Sequence, residues 1–142
     1  MSYFRNGQLF TKVTYKDGKK NGPSEIYDDF GLLMYKNNWK EEKKDGLQIE
    51  YHENGQIRKK ENFKDGEFDG PHEIFFENGQ LDSRGNYKDG KREGLFEDYN
   101  EYGDIQSKKT YQDGILDGPW KIYSETGKLQ VEGTYKEGLY YE

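Results

Sequence analysis

The sequence has no cysteine, three prolines, two methionines and two histidines in 142 residues. Without thiols it has neither a disulfide framework nor a thiolate metal site, which fits a reducing compartment. Apolar residues are also scarce. Hydrophobic side chains make up 30% and charged ones 35%, a balance that by itself leans toward disorder. No apolar run approaches a membrane span, and the opening MSYFRNGQLF holds none long enough for a signal peptide. A soluble, cytoplasmic chain is expected. The net charge of −6 disfavours nucleic acid and anionic membrane as partners and favours a basic one.

Aromatic residues and glycine are abundant: 16% of the chain is aromatic and 18 residues are glycine. They fall in register. One aromatic recurs every 24 residues at Tyr15, Trp39, Phe63, Tyr87, Tyr111 and Tyr135, and a second at Tyr3, Tyr27, Tyr51, Phe75, Tyr99 and Tyr123. A glycine recurs at Gly7, Gly31, Gly55, Gly79, Gly103 and Gly127, followed two residues later by Leu9, Leu33, Ile57, Leu81, Ile105 and Leu129. A fixed period held from end to end marks a repeat array, in which each unit buries its rings against its neighbours. The core expected is a thin, continuous aromatic ladder.

Two turns punctuate each unit. Asn6-Gly7, Asn54-Gly55 and Asn78-Gly79 lie between alternating segments and predict type I′ hairpin turns. After each turn, residues such as 33, 35, 37 and 39 are expected to share one face, joining the aliphatic and first aromatic ladders. A second loop follows, at Lys16-Asp17-Gly18, Lys64-Asp65-Gly66, Lys88-Asp89-Gly90, Gln112-Asp113-Gly114 and Lys136-Glu137-Gly138. Another glycine comes at Gly22, Gly70, Gly94 and Gly118, and Pro23, Pro71 and Pro119 open the next strand. Lys40-Glu41-Glu42 breaks the pattern, so that turn is expected to be of another type or strained. Glycine arrives too often for helix, and nothing recurs at 3.6 spacing. The fold expected is all-β: an elongated, twisted meander of stacked hairpins. It forms one array over residues 1–142, about six repeats with partial units at both ends. At roughly 10 Å of advance per repeat it would reach roughly 50–60 Å.

The unit aromatic-x-x-x-Gly-x-Leu/Ile-x5-aromatic-Lys-Asp-Gly-x3-Gly resembles the MORN-repeat variant of bacterial proteins, and in particular the YwqK-type antitoxin family. The resemblance covers essentially the whole chain. It implies stacked β-hairpins serving as a binding or scaffolding module, and for YwqK-type members the neutralisation of a toxin encoded beside them.

Reactive residues give little chemistry. His52 and His72 occupy different positions in the frame and read as surface histidines. Gly85 to Gly90-Lys91 mimics a phosphate loop, but Arg92 stands where Ser or Thr is needed and the segment is the ordinary repeat turn. Two acidic rows line the second loops: Asp17, Glu41, Asp65, Asp89, Asp113 and Glu137, then Asp45, Asp69, Glu93 and Asp117. Calcium is one reading; turn chemistry, with neighbouring lysines offsetting the first row, is the other. No catalytic residue, metal or cofactor is expected.

The informative deviations are apolar. On the strand before the Asn-Gly turn, the face opposite the Tyr27-type ring carries Ile26, then His72, Ile74 and Phe76, then Phe96, then Trp120 and Ile122. The second repeat offers Gln48, Glu50 and His52 there. A stripe thus strengthens toward the C-terminal half. Exposed apolar patches mark interaction sites, and Trp is favoured at hot spots. Burial of this face as core is the competing reading. The array opens mid-repeat at Tyr3 and stops at Tyr140-Tyr141-Glu142 without an obvious cap, so pairing at sheet edges is also expected.

The function expected is a non-enzymatic protein-binding module. As the resemblance implies, it would be of the antitoxin or immunity type, laying Ile74, Phe76, Phe96, Trp120 and Ile122 on a partner toxin and blocking it sterically. Asp65, Asp69, Asp89, Glu93, Asp113 and Asp117 would steer a basic surface toward it. The alternative is a scaffold or membrane-proximal protein acting through self-association or lipid contact.

Overall fold

Each 24-residue unit folds into two strands because turn residues interrupt β-favouring segments twice per unit. The computed structural model describes residues 1–141. Its strands are β1 (Ser2–Tyr3), β2 (Leu9–Lys16), β3 (Lys19–Tyr27), β4 (Leu33–Lys40), β5 (Lys43–Lys44), β6 (Gly46–Tyr51), β7 (Ile57–Lys64), β8 (Glu67–Phe75), β9 (Leu81–Lys88), β10 (Lys91–Arg92), β11 (Gly94–Tyr99), β12 (Ile105–Gln112), β13 (Ile115–Tyr123), β14 (Leu129–Lys136) and β15 (Leu139–Tyr141). They form one open antiparallel sheet in which successive strands are neighbours, and no helix occurs among the described residues. β5 and β10 pair with the preceding strand, just ahead of β6 and β11.

The type I′ geometry expected of the Asn-Gly turns is found in the Asp-Gly loops instead. In the Asp-Gly loops both central residues are left-handed, with φ 51° at Asp17 and 77° at Gly18, as a two-residue I′ hairpin requires. The second unit keeps this turn: Glu41 has φ 47° and Glu42 φ 69°. The turn is therefore of the same type and strained, since a β-carbon in this region costs about 1–2 kcal/mol. Two bonds hold Glu42 there. Its amide donates to the Lys20 carbonyl at 3.0 Å, and its Oε1 accepts from the Lys20 amide at 2.7 Å.

The Asn-Gly loops are not type I′. Gly7 has φ 84°, but Asn6 stays out of the left-handed region. The Gly7 amide donates to the Phe4 carbonyl and the Phe4 amide to that of Gln8, a turn closed by a left-handed glycine. The asparagine side chain braces this form. Asn6 Oδ1 accepts from the Gln8 amide, and Nδ2 donates to the carbonyl of Asp29 in the next unit, both at 3.0 Å. Asn54 and Asn78 reach Glu77 and Glu101 in the same way, at 2.7 and 2.8 Å.

A bulge follows each of these loops. Ile26 pairs with Tyr35 but Tyr27 with Leu33, so the alternation expected over 33, 35, 37 and 39 breaks at its first step. The aliphatic ladder thereby lies opposite the Tyr27-type rings rather than continuing the Trp39-type ladder. Pro23, Pro71 and Pro119 fall inside strands, one residue past a left-handed glycine.

The continuous core expected is absent among the described residues, where no hydrophobic side chain is buried. The buried residues are Ser24, Asn37, Gln48, Glu97 and Ser107. The physical reason is the architecture: a single sheet has no second layer to cover either face. Its side chains are shielded only by neighbours in the same layer, through cross-strand pairs on both sides.

Candidate interaction surface

Directly opposed residues of antiparallel strands share a face, so the register sorts the side chains into two surfaces. The ring face carries Trp39. Its first row pairs Tyr15 with Lys20, Trp39 with Lys44, Phe63 with Phe68, Tyr87 with Arg92, Tyr111 with Leu116 and Tyr135 with Tyr140. Ring centroids stand 4.6 Å apart for Phe63 and Phe68 and 4.9 Å for Phe68 and Tyr87. Where the partner is a cation it covers a ring: Lys20 Nζ is 4.7 Å from the centre of Trp39, and Lys44 Nζ 5.1 Å from Phe63. The sequence reading missed this row. It recurs every 24 residues at 20, 44, 68, 92, 116 and 140, but with no shared chemistry to draw the eye.

The second row runs Ser24, Asn37, Gln48, Glu61, His72, Gly85, Phe96, Lys109, Trp120 and Gly133. Its first half is polar and tight, with Trp39 Nε1 donating to Ser24 Oγ at 2.9 Å. In its second half Gly85 lies beside Phe96 and Gly133 beside Trp120, with Lys109 between the two rings. A β-carbon on Gly133 would lie 2.8 Å from Trp120 Nε1, and one on Gly85 would collide with the Phe96 ring. These two glycines make room for rings lying on the backbone. The third row includes Ile74 opposite Ser83, Asp98 opposite Ser107 and Ile122 opposite Val131.

The structure thus brings Ile74, Phe96, Trp120 and Ile122 onto one face, each half-buried. They do not form an unbroken stripe. The intervening strands place Lys109 between Phe96 and Trp120, and Ser83, Asp98 and Ser107 between Ile74 and Ile122. Nor do they stand apart from the aromatic ladder. Phe96 packs at 5.6 Å on Tyr87 and 5.2 Å on Tyr111, and Trp120 at 6.1 Å on Tyr135 and 5.9 Å on Tyr140. Phe76 lies past the end of β8 in the next Asn-Gly loop, where it lines a shallow recess with Tyr102 and Asp104.

Of the acidic side chains of the second loops, Asp45 and Glu93 accept backbone amides. Asp65, Asp89 and Asp113 are the left-handed turn residues. The Asp113 amide donates to Glu93 Oε2 at 3.0 Å, and the Asp65 amide to Asp45 Oδ2 at 3.3 Å. Asp69 and Asp117 are half-buried beside Gly70 and Gly118. Less balanced acidity lies along the opposite edge, where the Asn-Gly loops carry Asp28, Asp29, Glu53, Glu77, Glu101, Asp104 and Glu125 against Arg5 and Lys128. Phe30 and Tyr102 project there, 80% and 78% exposed. At these two loops Asp28 and Asn100 cap the turn from two residues earlier, which frees the tip position for a ring.

The opposite surface is a charge face. Its register reads Lys12–Glu25–Lys36, then Lys60–Glu73–Arg84–Glu97–Lys108, then Lys121–Glu132. Glu97 is buried and receives Arg84 Nε at 2.8 Å, Lys108 Nζ at 3.6 Å and the Tyr99 hydroxyl. Burial works to raise its pKa, but the Tyr99 hydroxyl, Arg84 and Lys108 outweigh it and hold the carboxyl below the usual range. On this face Arg84 and Lys108 pair with Glu97, and Lys121 pairs with Glu132 at 3.1 Å.

Of the histidines, His52 Nε2 lies 2.8 Å from the Phe75 carbonyl. His72 sits on the ring face, its Nδ1 buried without a hydrogen-bond partner and 3.7 Å from Glu61 Oε1. Burial lowers its pKa against the pull of Glu61, leaving the ring neutral at pH 7. Among the described residues no group of three or more His, Asp or Glu side chains is placed to hold a metal ion.

The model of one protein family, described as the MORN repeat variant, matches residues 1–17, 44–65, 68–89 and 116–137, together more than half of the chain. Among curated proteins none matches. Among solved structures, the chain is similar to one from the crystal structure of accessory secretory protein 1,2 and 3 in Streptococcus pneumoniae. The identity is 21% and the TM-score 0.40, over 81% of this chain and 22% of that one. The chain belongs to the MORN repeat variant family, whose arrays are repeat-type binding modules and which is not a family of enzymes.

Proposed function

We propose that this chain is a protein-binding module of the antitoxin or immunity type, which blocks a partner by covering it with the ring face. One observation carries the reading: the ring face is an open surface of half-buried aromatic side chains running through the repeats, with no second layer over it. Such a surface gains by burying its remaining apolar area against another molecule. Trp120 and Phe96 are its largest apolar steps, and Trp is enriched where binding energy concentrates. The acidic Asn-Gly edge adds long-range steering toward a basic partner.

The test is coexpression with the product of the adjacent reading frame, followed by calorimetric titration of the purified pair. A complex weakened about tenfold or more by Trp120→Ala, with the variant's melting transition retained, is the expected result. Affinity unchanged in both Trp120→Ala and Phe96→Ala would overturn the assignment of this face.

A further inference from the structure

Between the rings of Tyr87, Phe96 and Tyr111 the ring face sinks into a recess of about 210 Å³, bordered also by His72, Arg92 and Lys109. Its shape follows from the chain. Gly85 has no side chain to fill it, so the Phe96 ring lies against the backbone there, edge-on to Tyr87 at 85° and to Tyr111 at 74°. The Arg92 guanidinium is drawn over this wall, 5.2 Å from the centres of both Phe96 and Tyr111. Its Nη1 donates to the Tyr111 hydroxyl at 3.0 Å. These contacts fix the side chain and leave most of its five donors free.

What Arg92 does not have is a carboxylate. Arg58 is taken by Glu50 and Arg84 by Glu97, at 2.9 and 2.8 Å, while Arg92 enters no ion pair among the described residues. Lys109, directly opposite Phe96 on one side and Trp120 on the other, enters none either. The single anion bordering the recess is Asp98, which accepts from Ser107. Of the three cations bordering the recess Arg84 is taken by Glu97, so Arg92 and Lys109 against Asp98 leave room for one negative charge, which fits a carboxylate better than a phosphate dianion. A planar guanidinium held by rings matches a carboxylate in bidentate fashion.

We propose that this recess receives an aspartate or glutamate side chain of the protein partner, with Arg92 and Lys109 as its counter-charges and the rings of Phe96 and Tyr111 packing on its methylenes. This rests on the ring face being the binding surface. It adds that the partner, whatever its overall charge, presents a carboxylate at the centre of the contact.

The test uses the full chain and a minimal probe. N-acetylglutamate α-amide is titrated while NMR follows the Arg92 guanidinium and the Tyr111 ring, with the glutamine analogue and inorganic phosphate as controls. Saturable shifts with the glutamate probe, about tenfold weaker with either control, are expected. Arg92→Gln should abolish the response and Lys109→Gln reduce it, each with the melting transition retained. Arg92→Lys, which keeps the charge without the fork, should fall between. Equal responses to the glutamate and glutamine probes, no response, or a response that survives Arg92→Gln would overturn the proposal. A partner complex that tolerates Arg92→Gln but not Trp120→Ala would overturn it too, while leaving the ring-face reading standing. A complex that tolerates both would remove that reading.

Discussion

Arg84 and Arg92 are eight residues apart and meet opposite fates. On the charge face Arg84 lies 2.8 Å from Glu97, within a row in which lysine, arginine and glutamate alternate across the strands. On the ring face Arg92 lies over Phe96 and Tyr111 and meets no carboxylate. The first charge is neutralised inside the sheet, and the second is positioned but left available. A single-layer sheet has no hidden core in which to separate structure from recognition. Here the contrast runs between two arginines on opposite surfaces, one paired within its face and the other not.

The largest way to disturb this contrast is to fill the glycine that lets the ring face close on itself. Gly85→Val forces a branched side chain into the Phe96 ring and should cost about 3 kcal/mol in urea unfolding. The corresponding residue Val13 is tolerated in the first unit, where Ser24 rather than a ring lies opposite. On the charge face the sharpest test is Glu97→Ala, which strands Arg84 and the Tyr99 hydroxyl. It should cost about 2 kcal/mol by the same measurement. Because its partners depress the Glu97 pKa, the stabilisation is fully present above the ordinary glutamate value of 4.5 and is lost as pH falls through the lowered one. Glu97→Gln should flatten that part of the stability–pH curve, whereas Arg92→Gln should leave it unchanged.

Smaller effects separate frame from surface. Glu42 holds a left-handed position that other units give to glycine. Glu42→Ala keeps the strain and loses the bond to the Lys20 amide, whereas Glu42→Gly loses the bond and relieves the strain. The two variants should differ by about 1 kcal/mol in favour of glycine. Phe30→Asn and Tyr102→Asn remove exposed tip rings and should each stay within about 0.5 kcal/mol of the parent.

The 24-residue period made the strands, their order and the loop positions legible, because rings and glycines at fixed spacing have few other uses. Three features were not. The turn at Asn6-Gly7 is the one all six units share, and its asparagine bonds a carbonyl 23 residues away, which a local reading does not show. The faces were read one strand at a time, so Lys109 between Phe96 and Trp120 became visible only with the cross-strand register. Gly85 and Gly133 occupy a position filled elsewhere by Val13, Asn37, Glu61 and Lys109, and nothing in the sequence says that a ring from a neighbouring strand needs their space. The candidate site was therefore readable as a set of large apolar residues, but not as a recess with two available cations.

The measurement that bears most directly on the division of faces is hydroxyl-radical footprinting of the chain, free and in complex with the product of the adjacent reading frame. Phe96, Tyr111 and Trp120 should lose reactivity in the complex, while Tyr27 and Tyr99, which hydrogen-bond Glu25 and Glu97 on the charge face, keep theirs. Protection of Tyr27 and Tyr99 with the ring-face aromatics unchanged would contradict the account.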